Sequence, residues 1–279
     1  MNRFNPIQNI ENDGLEIMEV GNWAQKKYKL VGKYCDIFTS GMKNKWDLVY
    51  LDLFSGPGIV KIKETPNLLK NSALIAMSLP NSFNHYVLND YSSNTVKSLQ
   101  QRIERLHPDK SYQLYNEDAN QVVDKIFDEL PTYLKISKPL FFAFIDPFSL
   151  SLHFETIKKL SARQVDILVL HALQMDGVRN MGHYISENNP RLNLFFGNSD
   201  WRLRLTEEKV AKGQFVKFLS DEFDNSIRKL GYKAAIIKER ITNNQGSGIY
   251  YLSFYSKHER GLDFFEKVRK GNNDQFELF

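Results

Sequence analysis

A single cysteine, Cys35, stands in a chain of 279 residues. One thiol excludes an intrachain disulfide, a multi-cysteine zinc site and a self-contained iron–sulfur site. Neither sign of charge is in large excess: 37 Lys and Arg face 33 Asp and Glu, for a net +4 spread along the chain. That mildly basic balance is compatible with nucleic acid as a partner without arguing for it. No apolar run approaches the roughly 20 residues of a membrane span. The opening Met1-Asn2-Arg3-Phe4-Asn5-Pro6 lacks the apolar core of a signal peptide. A cytoplasmic protein with no membrane association is the simplest reading. What is present is ordinary for a folded protein. Hydrophobic residues make up 42% and charged residues 25%, enough for a proper core in one large α/β domain with additions, or in two small ones. No internal repeat and no clear linker is visible.

The most informative stretch is Leu48-Val-Tyr-Leu-Asp-Leu-Phe-Ser-Gly-Pro-Gly58. Its first half, Leu48 to Leu53, is apolar and rich in strand formers, with one carboxylate at Asp52. Its second half turns abruptly to small and turn-forming residues. A buried strand ending in Gly-x-Gly is how a parallel α/β sheet presents a nucleotide site. The glycines allow a sharp turn and a close approach where a Cβ would collide. Pro57 removes one N–H donor and argues against a phosphate cradle. The Gly-Lys-Ser/Thr of a P-loop and the third glycine of a dinucleotide fingerprint are both absent. The remaining common interpretation is a site for S-adenosylmethionine (SAM), with Asp52, Phe54, Gly56 and Gly58 as cofactor-binding residues. The competing one is a buried strand followed by an ordinary turn.

Around this stretch the chain alternates strands and helices. Residues 1–20 read as a polar, irregular arm. Trp23 to Met42 reads as a helix, with Trp23, Leu30, Tyr34, Ile37 and Phe38 at helical spacing and Lys26, Lys27, Lys29 and Lys33 on a solvated face. Ile59 to Asn71 is too polar and broken for a helix and is expected to be an insertion at the mouth of the site. Ser72 is expected to cap the helix that follows. Phe83 to Asn89 is a second strand, and Asp90 at its end is placed to grip ribose hydroxyls, farther from the glycines than the usual spacing of about 20 residues. Alternatively Asp90 caps the helix Ser92 to Leu106. Tyr112 to Tyr115 is a third strand. Asp118 after it either meets the adenine amino group or caps the helix Asn120 to Glu129.

A second informative stretch is Leu140 to Phe148, a fully apolar run ending in Asp146-Pro147-Phe148. A strand-terminal Asp-Pro-aromatic resembles the Asp/Asn-Pro-Pro-Tyr/Phe motif of amino-methyltransferases. The second proline is missing here. By that likeness Asp146, Pro147 and Phe148 form the catalytic site, Asp146 orienting the acceptor and Phe148 acting as a wall; the alternative for Asp146 is a structural turn. Val165 to Leu170 is a fifth strand, and His171 at its end reads as a hydrogen-bonded structural residue. Phe195-Phe196-Gly197 and Asp200-Trp201-Arg202 form an aromatic segment expected to close over the site. Ala234 to Lys238 and Ile249 to Tyr255 read as a hairpin around Asn243-Asn244-Gln245-Gly246-Ser247-Gly248, and Gly261 to Lys270 as a closing helix.

Taken together, Tyr50 to Gly58, Phe144 to Phe148, Thr156 to Leu160 before Val165 to Leu168, Arg179-Asn180 and Phe195 to Gly197 resemble the three-Cys-motif partner protein family. The likeness covers roughly Lys26 to Lys270. Ser149 departs from the glycine usual after Asp-Pro-Phe. The resemblance implies a bacterial or archaeal protein with an α/β, Rossmann-like class I SAM-dependent methyltransferase fold, its mostly parallel sheet ending in an antiparallel hairpin. It also implies a protein partner carrying a three-cysteine, radical-SAM-like motif. It supplies no substrate. The expected organisation is an N-terminal arm and helix over 1–45, a methyltransferase domain over 46–270 with the insertion at about 59–71, and a polar tail over 271–279. The leading function is methyl transfer from SAM to a nitrogen or oxygen nucleophile. The alternatives are a non-catalytic SAM-binding or partner-docking module, and a protein acting on nucleic acid. Metal chemistry finds no tight Asp/Glu/His motif.

Overall fold

Apolar runs placed between turn-forming residues build a doubly wound sheet. The computed structural model of the chain describes residues 4–273, except 236, 243–245 and 247. In chain order the elements are β1 (Met18–Val20), α1 (Trp23–Met42), β2 (Leu48–Asp52), β3 (Ile59–Ile62), β4 (Leu68–Lys70) and α2 (Ser72–Met77). Then come β5 (His85–Asn89), α3 (Ser93–Leu106), β6 (Tyr112–Tyr115), α4 (Val122–Glu129), α5 (Thr132–Ser137) and β7 (Leu140–Ile145). α6 (Phe154–Ser161) leads to β8 (Val165–His171), a π-helical turn at Leu173–Val178, and α7 (Met181–Tyr184), α8 (Arg191–Phe196), α9 (Trp201–Glu207) and α10 (Phe215–Arg228). β9 (Lys233–Ala234), β10 (Glu239–Thr242), β11 (Gly248–Ser256) and α11 (Glu259–Asn273) complete the chain.

The main sheet runs β10-β11-β8-β7-β2-β5-β6, with β9 also on β11. β6, β5, β2, β7 and β8 are mutually parallel. β11 is antiparallel to β8 and to β10. Every residue of β2 and β8 is buried, because helices cover both faces, and so these strands read as mostly apolar runs, interrupted by Asp52 in β2 and by Asp166 and His171 in β8. Alternate residues serve alternate faces. Val49, Leu51, Phe141, Ala143, Ile167 and Val169 join one core with α4, α6, α8 and α10. Leu48, Tyr50, Phe142, Phe144, Leu168 and Leu170 join the other with α1, α2, α3 and α11. The strand order reverses direction between β2 and β7, leaving a crevice outside their carboxyl ends, where open α/β sheets keep their ligands.

This is the α/β fold class expected, and the departures have local causes. Residues 4–17 carry no helix or strand, but the end of the arm is ordered into a sheet: β1 lies parallel to β3, and β3 pairs antiparallel with β4. The supposed insertion at 59–71 is thus a small sheet with its own apolar cluster of Val20, Ala24, Tyr28, Val60, Ile62, Leu69 and Ile75. α1 is not set apart from the domain, since Tyr34 and Phe38 pack on Phe142 of the central sheet. The cap of α2 is Asn71, not Ser72. The partner of β11 is mainly β10, later in the chain than the expected strand at Ala234 to Lys238. Most of the expected hairpin turn (Asn243, Asn244, Gln245, Ser247) lies outside the described residues, as do residues 274–279 of the polar tail.

Two expectations about exposure and one about hydrogen bonding are corrected. Lys27 is not on a solvated face; it is 2% exposed. Phe195, Phe196 and Trp201 do not close over the site. They are buried in the core, with Phe154 against Gly197 and Phe223 against Phe195. His171 is buried, but its Nε2 has no hydrogen-bond partner. Its ring sits edge-on to Phe195, Phe223 and Tyr255, and burial lowers its pKa well below the usual histidine range.

Candidate functional site

The glycine loop is stitched to the end of β5. Asp52, the last residue of β2, is fully buried. Its Oδ1 accepts the Phe54 N–H at 3.1 Å, and its Oδ2 accepts the Tyr50 hydroxyl at 3.0 Å and the Ser72 hydroxyl at 2.7 Å. The Ser55 N–H and hydroxyl donate to the Asn89 carbonyl, and Asn71 Nδ2 donates to the Ser55 carbonyl at 2.5 Å. Gly56, at φ +60°, donates its N–H to Asp90 Oδ2 at 3.0 Å. The positive φ is the conformation glycine adopts at no steric cost.

Gly58 also has positive φ, +96°, but the space beside it belongs to the protein. A Cβ there would stand 3.0–3.2 Å from Leu74, Leu99 and Arg102. Its bareness lets β3 pack tightly against α2 and α3. The neighbouring Pro57 carbonyl accepts a hydrogen bond from buried Arg102 at 2.6 Å.

Burial pushes the Asp52 carboxyl up to about 7, against the ordinary 3.8. The unfolded chain releases this proton near 3.8, whereas the fold holds it to about pH 7. Asp52 therefore favours the folded state at acid pH, and that contribution is lost as pH rises across this window. Asp166, pushed up to about 6 by burial, acts in the same sense. His171 and His107, both lowered by burial, act in the opposite one. The clean readout is a difference: denaturant titrations of Asp52→Asn should lack part of the wild type's decline between pH 4 and 7.

Asp90 does not cap α3. That role falls to Ser92, whose hydroxyl accepts the Thr95 N–H. The Asp90 carboxylate instead fixes Gly56 with one oxygen and the Ser92 N–H with the other. Asp118 does not cap α4 either, for the helix begins at Val122 with Gln121 before it. Asp118 Oδ1 accepts the Asn120 N–H at 2.8 Å.

Asp118 and Asn120 line a cavity of about 260 Å³ with Leu53, Phe54, Tyr91 and Ser151. Tyr91 follows Asp90 directly and is 82% exposed, so its ring is available at the cavity wall. Asn120 joins two loops, donating to the Ser151 carbonyl and accepting from the His153 N–H and the Thr156 hydroxyl.

Across the strand-order reversal, Asp146 follows β7. Its Oδ2 meets Lys27 Nζ at 2.5 Å. The ammonium lies 5.0 Å from the Trp23 ring centroid and 4.4 Å from that of Tyr28. Burial penalises the Lys27 charge, but the Asp146 carboxylate outweighs that cost and raises its pKa above the usual lysine range, so it stays charged. Pro147 is buried, and Phe148 is 62% exposed. The loop that carries them is held by Asp176 of the π-helical turn, which accepts the Leu150 N–H at 2.7 Å and the Tyr184 hydroxyl. Single-turn π segments are rare and cluster at functional sites.

Asp52, Asp90, Asp118 and Asp146 thus stand at the carboxyl ends of four neighbouring strands, β2, β5, β6 and β7. Asp146 is close enough to Asp52 to add, after burial, to the cost of ionising Asp52. Sequence reasoning missed Lys27, Tyr91 and Asn120. Lys27 carried a signal: it lies four residues after Trp23 and three before Leu30, on the apolar stripe of α1. Among the described residues no group of three or more His, Cys, Asp or Glu side chains could hold a metal, and no helix is long and apolar enough to cross a membrane.

The parallel five-strand core, the reversal beside β2 and the antiparallel β11 define a Rossmann-like class I methyltransferase fold. No protein-family model matches the chain, and no curated protein matches it significantly. Among solved structures, a Legionella pneumophila protein is 11% identical and aligns over 82% of this chain and 85% of its own, with a TM-score of 0.49. An O-methyltransferase from Bacillus cereus, solved with SAH, is 12% identical over 81% of this chain and 80% of its own, also at 0.49. The O-methyltransferase TomG from Streptomyces achromogenes, solved with SAM, is 10% identical over 81% and 79%, at 0.46. At these scores the fold assignment rests on the sheet order.

Proposed function

We propose that the chain is a SAM-dependent methyltransferase acting on a nitrogen or oxygen nucleophile. One observation carries this reading. The cavity outside β2, β5 and β6 has an apolar floor, Leu53 and Phe54, an exposed ring at Tyr91 and carboxylates at Glu117 and Asp118, with Asp90 the chain neighbour of Tyr91, all beside the reversal of strand order. Those are the groups a nucleoside needs: a face to stack on and acceptors for its hydroxyl and amino hydrogens. Tyr91 would stack on the base and Asp118 would accept from its amino group through Oδ2. Asp90 would accept from the ribose while fixing Gly56. Asp52 orders the loop through the Phe54 N–H. Gly58 contributes packing and conformation.

When bound, SAM supplies a methyl group activated by its sulfonium. The chain's residues then align the acceptor and exclude water. Asp146, fixed in orientation by Lys27, accepts a hydrogen bond from the acceptor's N–H or O–H. Phe148 forms an apolar wall at the mouth. Cys35 is no nucleophile, being fully buried, with its thiol pKa raised well above the ordinary value by that burial.

Native mass spectrometry of the purified protein tests the reading. The expected spectrum contains a species heavier by SAM or SAH, diminished in Tyr91→Ala. A bare chain even after incubation with SAM counts against it.

A second reading, a non-catalytic docking module, draws on the Asp146 carboxylate already being engaged by Lys27. It predicts SAM retention without methyl transfer to any acceptor, and an Asp146→Asn variant that behaves as wild type in partner capture. The three-Cys-motif partner resemblance belongs to the same proposal, as does a cytoplasmic location. Co-purification with a three-cysteine protein encoded beside this chain is its test, and repeated failure to co-purify removes it.

A further inference from the structure

We propose that the amino-terminal edge of the sheet, opposite the candidate cofactor cleft, binds single-stranded nucleic acid. Three hollows adjoin there. One, of about 560 Å³, lies between α5 and the α6–β8 turn and is lined by Lys135, Lys138, Arg163 and Lys257. It shares Gln164 and Lys257 with a smaller hollow of about 140 Å³ that adds Trp46 and Arg260. Trp46 also lines a third, of about 590 Å³, which adds Lys43 and Lys45 and ends at Ser137, the neighbour of Lys138. The three hollows form one continuous strip around the amino ends of β2, β7 and β8.

The cations of this strip are uncompensated. Among the described residues none of them forms an ion pair with a carboxylate. Lys43, Lys45 and Lys257 donate to neutral oxygens of Asn81, Gly41 and Ser161, and Lys135 to the Asp128 backbone carbonyl. The Arg163 guanidinium sits over the Phe127 ring, 5.0 Å from its centroid. The acids lining the strip are Asp47, Asp128 and the buried Asp166. The opposite edge carries Asp90, Glu117, Asp118, Asp146 and Asp176, against Lys125 paired with Glu117, a buried Lys27 and an exposed Arg179. A protein of net charge +4 is therefore polarised along its strands. A polyanion is steered to the amino edge and away from the cofactor cleft.

Charge alone suits any polyanion; an exposed ring narrows the class. Trp46 is 42% exposed and lines two of the hollows. Exposed rings among cations bind unpaired bases by stacking while the cations follow the phosphates. A duplex hides its base faces and cannot use them.

Fluorescence anisotropy of a labelled oligodeoxythymidine strand tests this on the full chain. Binding should weaken steeply as salt rises. The double variant Lys138→Glu/Arg163→Glu, at two exposed positions, should lose affinity by about tenfold or more, with unchanged circular dichroism. Trp46→Ala should weaken binding at an unaltered salt slope. Lys217→Glu on α10, outside the strip, should leave binding intact. The proposal is overturned by no binding at low salt, by an equal loss in Lys217→Glu, by tighter binding to a duplex of the same length, or by a preference for phosphatidylserine vesicles.

Discussion

Asp146→Ala is expected to lower folding stability by about 3–5 kcal/mol, because it leaves the Lys27 ammonium buried without its partner. Lys27 is 2% exposed, and the Asp146 side chain is 17% exposed, so solvent does little to replace the lost contact. The rings of Trp23 and Tyr28 attract the ammonium, but a cation–π contact contributes only about 0.5–2 kcal/mol. Removing both charges behaves differently. Lys27→Met with Asp146→Leu should recover most of the loss, since a buried pair is often no more stabilising than apolar side chains of similar volume. Urea titrations of the two single variants and the double variant measure this directly. A double variant as unstable as Asp146→Ala would show that the pair is not the cause. The same result bears on function. An inactive Asp146→Ala says little by itself, whereas Asp146→Asn keeps an acceptor for Lys27 and separates chemistry from folding.

Arg102→Met should be comparably costly, by about 3–5 kcal/mol, and should loosen two distant segments together. The guanidinium is fully buried. It donates through Nε and Nη2 to the Asp13 carboxylate at 2.8 and 2.6 Å, and through Nη1 to the Glu16 and Pro57 carbonyls. Arg102 thereby holds the Asp13 carboxyl well below the usual carboxylate range, aided by Arg105. Removing it leaves the Asp13 carboxylate with the exposed Arg105 in place of a buried fork and frees both the arm before β1 and the turn between Gly56 and Gly58. Limited proteolysis should cut residues 4–17 faster in the variant than in wild type. Unchanged cleavage together with unchanged stability would contradict this account of the loop.

Much of the central sheet was legible because its strands are covered on both faces. Leu140 to Ile145 is an unbroken apolar run and Val165 to Leu170 is broken only by Asp166, the pattern of a buried parallel strand. The small sheet was not legible. β3 and β4 carry Lys61 and Lys70 and flank Lys63, Glu64 and Pro66, and their apolar residues find partners only when β1, some forty positions earlier, lies beside them. Local pattern cannot report a pairing made at that range. The same limit misled the reading of Phe195 and Trp201, whose burial depends on α6 and α10 folding over them.

Within the site, Asp52, Asp90 and Asp146 were identified by their places at strand ends. Their partners were not. Lys27 was grouped with its lysine neighbours on composition, although its spacing from Trp23 and Leu30 put it on the buried stripe. Gly58 shows a different gap. Its glycine was recognised, but whether the bare Cα faces a ligand or a neighbouring leucine depends on where α2 and α3 pack.

The central claim is that a sulfonium nucleoside binds outside the carboxyl ends of β2, β5 and β6. Isothermal titration calorimetry with SAM tests it most directly, on wild type, Tyr91→Ala and Asp118→Lys, two substitutions at the cavity wall that leave the core untouched. The account predicts one site per chain in the wild type, affinity reduced by about tenfold in Tyr91→Ala, as expected for the loss of a stacking ring, and no detectable binding in Asp118→Lys. Absence of binding heat across a range of temperatures in the wild type, or identical affinity in all three proteins, would contradict it.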